Sequence, residues 1–384
     1  MATKKKLSNG ERSLALHLKK SGKFSVASKT PLRNMNDLSL VYTPGVAAVS
    51  SFLANHKEKT RDYTMKGNSI AVVSDGSAVL GLGNIGPEGA LPVMEGKCVL
   101  FKKFANIDAV PIVLATQDIE EIITTVKAIA PGFGGINLED ICAPRCFEIE
   151  ERLKRELSIP VMHDDQHGTA IIILAGLLNA LKVVKKDITQ VKIVVSGAGA
   201  AGTAITKILF AEGAKHILVV DRVGIIFKER IGLTKEKHIL AEITNPHNEQ
   251  GNLAHALRDA DVFIGVSAPG LMTKEMVETM TSKAIVFALA NPTPEIMPNV
   301  ALSGGALVVA TGRSDFPNQL NNAQVFPGVF RGALDNRVSR ITDEMKQRAA
   351  HAIARLVSRP NPKKIVPNIF DKRLVKAVAR AIRD

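Results

Sequence analysis

The chain has 384 residues but no tryptophan, two tyrosines and three cysteines. So few cysteines, in an odd number, provide no disulfide framework and favour a reducing compartment. Cys142 and Cys146 lie close together in DICAPRC, but no second cysteine pair accompanies them, as a zinc site would require. Packing is therefore the preferred interpretation of both thiols, and metal ligation is the weaker one.

The sequence also lacks long apolar runs. The longest, residues 170–181, is interrupted by Gly176 and Asn179 and is too short to cross a bilayer. The N-terminal sequence MATKKKLSNGERS has no apolar core of the secretory type, although its basic character leaves an organelle transit peptide as a minor alternative. These features predict a cytoplasmic protein without a membrane partner.

Aromatic side chains are few, whereas positive charge is abundant and gives a formal net charge of +13. Such a charge is compatible with nucleic-acid binding, but Lys and Arg are spread along the chain and few rings are present to stack on bases. Anionic small molecules account for the charge at least as well. We therefore expect a small-molecule ligand and no nucleic acid, which stays the weaker alternative.

The C-terminal half contains an alternation of strand and helix patterns. Its apolar, β-rich runs are residues 191–196, 216–221, 261–266, 284–289 and 306–311, with room for a helix between consecutive runs. Strands that are apolar throughout are typical of a parallel sheet covered on both faces. This half therefore predicts a doubly wound, Rossmann-type α/β domain.

A second group of strand candidates precedes that domain. These are residues 68–74, 109–115 and 158–163, and helical patterns surround them. A chain of this length accommodates two domains. We therefore predict a smaller α/β domain for substrate and metal, residues 1–163, followed by the dinucleotide-binding domain with C-terminal helices, residues 164–384.

The pattern G-x-G-x-x-G occurs twice, in different surroundings. Gly197, Gly199 and Gly202 follow an apolar strand and open a helix, and the next strand ends at Asp221. This arrangement is typical of dinucleotide binding, because the glycines admit a pyrophosphate to the helix N-terminus and the acid accepts ribose hydroxyls. An ordinary strand–turn–helix is the weaker alternative. The other copy, residues 81–86, has little strand before it and predicts a tight turn in a site loop.

The choice between NAD and NADP depends on the end of the second strand of this domain. Asp221 favours NAD, because a carboxylate repels the 2′-phosphate of NADP. The adjacent Arg222 would accommodate that phosphate, so the sequence leaves the choice open and favours NAD.

Acidic residues are paired at two places. Asp164 and Asp165 lie between two histidines at the start of an apolar helix, and Glu139 and Asp140 end a short apolar run. Each pair alone is compatible with a solvated turn or with the favourable effect of negative charge at a helix N-terminus. Beside a nucleotide-binding domain, the two pairs together predict a Mg²⁺ or Mn²⁺ site, because hard oxygen ligands suit these ions.

A nicotinamide cofactor beside a divalent cation suits hydride loss from a 2-hydroxy acid and decarboxylation of the product. Seven motifs extend this interpretation: YTPGV (42–46), VLGLGNIG (79–86), MEGKCVLFKKFANID (94–108), GGINLED (134–140), HDDQHGTA (163–170), FALANPTPE (287–295) and NNAQVFPG (321–328). In this order they closely resemble the malic enzyme family, in its short bacterial form, over nearly the whole chain. The resemblance implies oxidative decarboxylation of malate to pyruvate and CO₂ with NAD or NADP and Mg²⁺ or Mn²⁺, and a homodimer or larger homo-oligomer.

The resemblance also implies roles for individual residues. Lys97 matches the family's general base for the malate hydroxyl, and Tyr42 matches the acid that protonates enolpyruvate. The three residues that match metal ligands are Glu139, Asp140 and Asp165. Without the resemblance, a surface lysine and an anchoring hydroxyl in a turn would be the ordinary interpretations of Lys97 and Tyr42.

Further positions match with less specific roles. Asp164 would orient Lys97, Asn291 matches a position that contacts cofactor and substrate, and Asn322 matches a substrate contact, although turn and cap roles are ordinary for asparagine. Longer family members carry an arginine for a malate carboxylate where this chain has Ala78, and the sequence leaves open what replaces that cation. A malolactic enzyme, which releases lactate, and a non-catalytic nucleotide-binding regulator are the alternative functions.

Overall fold

The structure, a computed structural model, describes residues 7–79 and 81–384. The helices of the first half are α1 (Asn9–Lys20), α2 (Met35–Val41), α3 (Gly45–Asn55), α4 (Thr60–Tyr63), α5 (Gly86–Ala105), α6 (Ile119–Ile129), α7 (Arg145–Glu156) and α8 (Asp164–Val184). Those of the second half are α9 (Ala200–Ala211), α10 (Lys235–Ile243), α11 (Leu253–Leu257), α12 (Lys274–Glu278), α13 (Pro298–Ser303), α14 (Phe326–Asp335), α15 (Asp343–Arg355) and α16 (Leu374–Ala381).

The strands form two sheets. They are β1 (Ser69–Ser74), β2 (Asp108–Val113), β3 (Gly135–Leu138), β4 (Val161–His163), β5 (Lys192–Ser196), β6 (His216–Asp221), β7 (Gly224–Ile225), β8 (Val262–Gly265), β9 (Ile285–Ala288) and β10 (Val308–Thr311). The first sheet has the order β2-β1-β3-β4 and the second β10-β9-β8-β5-β6-β7; all pairs are parallel except β6–β7. The predicted α/β class, with a doubly wound C-terminal sheet and a smaller α/β region before it, is confirmed.

Helix α8 connects the two sheets. From Ala170 onward most of its residues are inaccessible to solvent. A helix that is apolar on all sides is buried in this way. Helix α8 ends where Lys185 adopts a left-handed conformation (φ 59°). One continuous apolar core extends from Phe101 of α5 through α8 to the second sheet and to Phe326 and Phe330 of α14. Because the two halves share this core, the domain boundary at residues 163–164 stays a prediction.

The first helices form a layer that lacks a covering partner. Among residues 7–68, all of which the structure describes, none is buried. Large apolar side chains are exposed throughout this N-terminal helical layer, and they include Leu14, Leu18, Met35, Val49 and Phe52. Exposed apolar side chains gathered on one layer are typical of a surface that meets a partner.

Two helical segments are long and apolar enough, by length and composition, to cross a membrane. One is α8, of which 72% of the apolar window is buried within the protein, as expected for a core helix. The other, residues 35–55, belongs to the N-terminal helical layer and is interrupted between α2 and α3 by Tyr42 and Pro44. The expected absence of a membrane partner stays a prediction.

Candidate active site

The acidic pairs meet because the strands before them are neighbours. Glu139 and Asp140 follow β3, while Asp164 and Asp165 follow β4 and begin α8. Parallel strands bring their carboxyl ends to the same edge of a sheet. Carboxylate oxygens of Glu139, Asp140 and Asp165 consequently lie within 4.8 Å of one another, and Asp165 accepts a hydrogen bond of 2.8 Å from the backbone N–H of Asp140.

Lys97 lies at the centre of this group. It projects from α5, is buried, and donates hydrogen bonds to Glu139 and, at 2.5 Å from Nζ to Oδ2, to Asp164. The ring centroid of Phe326 lies 4.4 Å from its Nζ atom. Burial lowers the pKa of Lys97, but the charges of Asp164, Glu139 and Asp165 outweigh burial and raise the pKa above its ordinary value, so the side chain is an ammonium.

The four carboxylates carry more negative charge than Lys97 neutralises. Burial and the neighbouring acids raise the pKa of Glu139 well above its ordinary value, and burial also raises the pKa of Asp164. A divalent cation would relieve this surplus. Three convergent carboxylates are also the donor set that Mg²⁺ or Mn²⁺ takes. The residues therefore fit the predicted kind of metal.

A buried glutamate that sequence reasoning missed holds the start of α8. Glu150 of α7 accepts hydrogen bonds from the backbone N–H of His163 (2.9 Å) and from His167 Nε2 (2.9 Å), and Lys154 Nζ lies 2.7 Å from it. Burial lowers the pKa of His167 to about 3, so its imidazole is neutral. Burial alone would raise the pKa of Glu150, but the hydrogen bond from His167 and the charges of Lys154 and Lys346 hold it well below its ordinary value.

The second glycine motif forms the loop between β5 and α9. Gly197 has a φ of 115°, and a Cβ atom on Gly202 would lie 1.8 Å from the carbonyl oxygen of Gly197. A Cβ atom on Gly199 would meet nothing within 4 Å. The loop therefore faces open space at a helix N-terminus, beside β5, where the strand order reverses and dinucleotides bind in such sheets.

Asp221 ends β6, as expected, but its carboxylate is already engaged. It accepts hydrogen bonds from both terminal nitrogens of Arg230, one of them 3.0 Å away, and from Lys237 Nζ at 2.6 Å. Burial raises the pKa of Asp221, but these two cations outweigh that effect and hold the pKa below its ordinary value. A ribose or a 2′-phosphate at this position would meet one acid and two bases.

The two asparagines lie on loops at the edges of the site. The side chain of Asn291 lies over Gly312, which follows β10. The backbone carbonyl of Asn291 leaves no room for a Cβ atom on Gly81. Asn322 packs against Gly168, and at Gly168 a Cβ atom would also lie 1.9 Å from Oδ1 of Asp164. Gly168 is thus required for the close approach of α8 to Asn322.

The first glycine motif forms a turn, as expected, and Gly86 at its end opens the helix that carries Lys97. Buried Glu295, another residue that sequence reasoning missed, fixes the loop of Asn291. Its carboxylate accepts the backbone N–H groups of Ser267 (2.9 Å) and Ala290 (3.0 Å). Glu295 follows Asn291 by four residues, and no sequence motif indicates that such a glutamate binds the backbone of a loop.

Tyr42 is not brought to this centre. It lies in the N-terminal helical layer, and its side chain, with 66% of the residue exposed, makes no hydrogen bond or ring contact within residues 7–79 and 81–384. The structure thus brings five of the predicted site residues into one buried group: Lys97, Glu139, Asp140, Asp164 and Asp165. The expected proton donor, Tyr42, is not part of that group in the same chain.

Arg145 was also missed by sequence reasoning. It begins α7, and its guanidinium bonds to the buried carboxylate of Asp75 at 2.9 Å. Its Nε atom is buried and has no partner in the described part of the chain. Asp75 and Ala78 belong to the loop after β1, and the backbone N–H of Ala78 bonds to the carbonyl oxygen of Asp140 at 2.9 Å. Arg145 thus lies beside the position where longer family members carry their arginine.

A glycine loop of the dinucleotide-binding type, in a chain that also brings together a buried lysine and three carboxylates able to hold a cation, indicates an oxidoreductase. The chain belongs to the malic enzyme family: the family's N-terminal domain matches residues 21–154, and its NAD-binding domain matches residues 166–383.

The sequences and structures of related proteins support this assignment. The chain is 55% identical to the bifunctional malic/malolactic enzyme of Bacillus subtilis, over 97% of this chain and 92% of that protein. It is 54% identical to the NAD-dependent malic enzyme of Geobacillus stearothermophilus, over 97% and 78%. The crystal structure of the NAD-dependent malic enzyme of Thermotoga maritima has a TM-score of 0.94 at 50% identity, with 96% of this chain and 98% of that chain covered.

Proposed function

We propose that the protein oxidises malate with NAD or NADP and decarboxylates the product to pyruvate and CO₂ with the aid of a divalent cation. The observation that carries this proposal is the buried group of Lys97, Asp164 and three metal-type carboxylates in a member of the malic enzyme family. Glu139, Asp140 and Asp165 would hold Mg²⁺ or Mn²⁺. When bound, such an ion polarises the C2 oxygen and stabilises the enolate that CO₂ loss leaves.

Lys97 would accept the proton of the malate C2 hydroxyl. Its ammonium must first lose a proton, and its pKa is raised because uncompensated carboxylates surround it. Neutralising those carboxylates removes the cause of the increase, while burial continues to lower the pKa. Asp164 would keep Nζ aimed at the substrate, and the hydride would pass to a nicotinamide held by the Gly197–Gly202 loop and by Asn291. Asn322, beside Asp164, would contact the substrate.

Arg145 would supply the cation for a malate carboxylate that Ala78 cannot supply. One terminal nitrogen stays on Asp75, while a quarter of the side chain is exposed and leaves guanidinium donors for a substrate oxygen. The loop of Asp75 contacts Asp140, so these donors lie on the side of the metal ligands.

A second copy of the chain would supply the proton donor. The exposed apolar N-terminal helical layer needs a partner surface, and Tyr42 within it has no role in its own chain's centre. If two copies pack through this layer, Tyr42 enters the partner's site and protonates the enol there. A symmetric dimer would form two such shared sites.

We propose NAD as the preferred cofactor, because Asp221 retains a carboxylate at the ribose position. The cations on that carboxylate, Arg230 and Lys237, lessen its repulsion of a 2′-phosphate, so we expect a preference and not an exclusion. A cytoplasmic location also stays a prediction, and cell fractionation would test it.

Conversion of malate to lactate is a second candidate, since the similar Bacillus subtilis protein is bifunctional. One experiment distinguishes the two candidate reactions. The protein is mixed with malate, Mn²⁺ and either cofactor, the absorbance of the reduced nicotinamide is followed, and pyruvate and lactate are then assayed. Metal-dependent reduction with equal pyruvate supports oxidative decarboxylation. Lactate without net reduction supports the second candidate. No turnover despite NAD binding contradicts both and leaves a non-catalytic regulator.

A further inference from the structure

A pocket of about 400 Å³ lies between helices α7, α8, α9, α10 and α15. None of the residues assigned above to the metal, the cofactor or the substrate lines this interhelical pocket. Much of its wall is apolar and includes Phe147, Ala170, Ala204, Ile208 and Ile239. A cavity of this size, with apolar walls and a few polar groups, suits a small organic molecule.

The interhelical pocket has a buried cation in its wall. Lys346 of α15 is 5% exposed, and its Nζ atom donates a hydrogen bond of 2.8 Å to the largely exposed carboxylate of Asp343. An ammonium has three donors, and in the described part of the chain Lys346 uses only this one. Burial and the charge of Lys154 lower the pKa of Lys346, and Glu150 and Asp343 offset this only in part. An anion beside Lys346 would therefore stabilise its charged form.

Most of the other charges that line the pocket are already paired. Glu150 and Glu151 are each engaged by a base of their own helix, α7. The lining residues that form no ion pair within residues 7–79 and 81–384 are Lys207, Lys235 and Glu236. Two exposed lysines against one glutamate leave a positive excess at the rim, which attracts anions.

A buried hydroxyl in the same wall also lacks a partner. Thr203 of α9 is 1% exposed, and its Oγ1 atom makes no hydrogen bond within the part of the chain that the structure describes. A helical threonine can bond to the carbonyl of the preceding turn, as Thr206 does to Gly202 at 2.8 Å. A buried hydroxyl without a partner costs free energy. A ligand in the pocket would supply the acceptor that Thr203 and Lys346 lack.

We propose that the interhelical pocket binds a carboxylate with a short aliphatic chain. The carboxylate would accept hydrogen bonds from Lys346 and Thr203, and bonds from a charged donor are the strong ones. The aliphatic chain would lie against Phe147 and Ile208, where its burial is favourable.

The cluster around Lys346 also connects the pocket with the candidate metal ligands. Lys154 Nζ lies 2.7 Å from Glu150, and the carboxylate of Glu150 accepts the backbone N–H of His163, directly before Asp164 and Asp165. A bound carboxylate that attracts Lys154 and Lys346 weakens their hold on Glu150 and so loosens the start of α8. This coupling rests on the proposed function, whereas the binding itself does not.

Calorimetric titration of the full chain with acetate, butanoate and hexanoate, without metal, substrate or cofactor, tests the binding. We expect the affinity to rise along this series by about fourfold for each methylene group that is buried. Hexanol, which has the same chain and no charge, should bind about tenfold more weakly than hexanoate or worse.

Two variants locate the bound hexanoate. Thr203→Val removes the hydroxyl but keeps the shape of the side chain, and it should weaken hexanoate binding about tenfold. Thr206→Val is its matched control, because Thr206 is buried on the same helix and does not line the pocket. Lys346→Met keeps the apolar stem and removes the charge, and it should weaken binding at least as much as Thr203→Val. Circular dichroism checks that each variant is folded.

Four results would overturn the proposal. They are no binding of hexanoate by the wild type, equal binding of hexanol and hexanoate, equal affinities of Thr203→Val and Thr206→Val, and complete displacement of hexanoate by saturating malate or NAD. The second would reveal an apolar patch without an anion site, and the last would place the carboxylate in the candidate active site.

Electron paramagnetic resonance of free Mn²⁺ tests the coupling without any turnover. Saturating hexanoate should raise the dissociation constant of Mn²⁺ about threefold, and by linkage Mn²⁺ should raise that of hexanoate by the same factor. The effect should persist in Thr206→Val. Equal Mn²⁺ affinity with and without bound hexanoate contradicts the coupling, whereas absence of any Mn²⁺ binding contradicts the proposed function without affecting the titration.

Discussion

Lys97 and Asp164 are 67 residues apart in the chain, yet Nζ of the lysine lies 2.5 Å from Oδ2 of the aspartate. The lysine comes from the middle of α5 and the aspartate from the first residue of α8. Gly168, one turn along α8, has no side chain where Oδ1 of Asp164 lies. Two helices that start at the same edge of the sheet thus bring the proposed base and its proposed positioning acid together in one buried pair.

This arrangement predicts that Lys97→Ala lowers kcat for malate about a thousandfold, because the loss of a general base typically costs a factor of that order. NAD should still bind, since the glycine loop is not altered. Stopped-flow or steady-state kinetics measure the rate, and fluorescence titration measures NAD binding. Lys102→Ala is a control on the same helix, because Lys102 is exposed and paired with Asp108. Normal turnover by Lys97→Ala would disprove the assignment.

A shared active site predicts complementation between two inactive variants. Tyr42→Phe and Lys97→Ala should each be inactive alone, whereas a mixed dimer contains one site with an intact Tyr42 and an intact Lys97. Random mixing of equal amounts should restore about a quarter of the wild-type activity.

If Tyr42 served its own chain's site, both sites of the mixed dimer would be defective and mixing would restore nothing. Tyr63→Phe is the control, since Tyr63 lies in the same layer and packs against Phe52. Sedimentation of Tyr42→Phe checks that the oligomer is retained.

The sequence was most informative where the function depends on short local patterns. The acid pairs at strand ends and the Gly197–Gly202 loop could be located from their position after apolar runs alone. The role of Arg145 could not, because its partner Asp75 is 70 residues away and the guanidinium has no local motif. Glu150 looked like one more acid on a charged helix, and only the fold shows that it is buried under His163.

The surroundings of Asp221 were missed for a different reason. Its partner Arg230 lies only nine residues away, but the chain reverses direction between them through β7, a strand of two residues. So short a strand has no periodicity to recognise. Tyr42 differs again, because it is exposed and its side chain has no hydrogen-bond partner in the described part of the chain.

Arg145→Gln should raise KM for malate by about tenfold to a hundredfold, the usual effect of losing a hydrogen bond to a charged group, with a smaller change in KM for NAD. Arg145→Lys should restore part of the loss. Arg155→Gln, an exposed arginine on the same helix, is the control. Equal increases in both KM values would indicate a general disturbance of the loop at Asp75 and contradict a substrate contact.

Glu150→Gln should weaken activation by Mn²⁺ by about tenfold to a hundredfold, as is typical for residues that support metal ligands. An amide whose oxygen stays on the N–H of His163 would place its NH₂ group against the side-chain nitrogens of Gln166 and His167, and so disturb the start of α8. Glu151→Gln, an exposed neighbour, should leave activation unchanged. An unaltered Mn²⁺ response in Glu150→Gln, with the fold intact, would restrict Glu150 to a structural role.

The effect of Glu150→Gln on the free energy of unfolding should depend on pH. The pKa of Glu150 in the folded protein is well below its ordinary value of 4.5. Its ionised form therefore stabilises the fold fully above that value, and the contribution is lost as the pH falls toward the folded pKa. Urea unfolding at several pH values should show a gap between wild type and Glu150→Gln that is constant near neutrality and narrows below about pH 4.5.

Asp221→Ser should weaken NAD binding more than NADP binding. The substitution removes the acceptor for the ribose hydroxyls and frees Arg230 and Lys237, whose donors then suit a 2′-phosphate. The dissociation constants of both cofactors, measured by titration, should shift in favour of NADP by about tenfold or more. A control is Asp187→Ser, which alters an acid of the same domain that bonds only locally to Thr189. Equal losses of NAD and NADP would mean that Asp221 does not face the ribose and that its two cations serve only the fold.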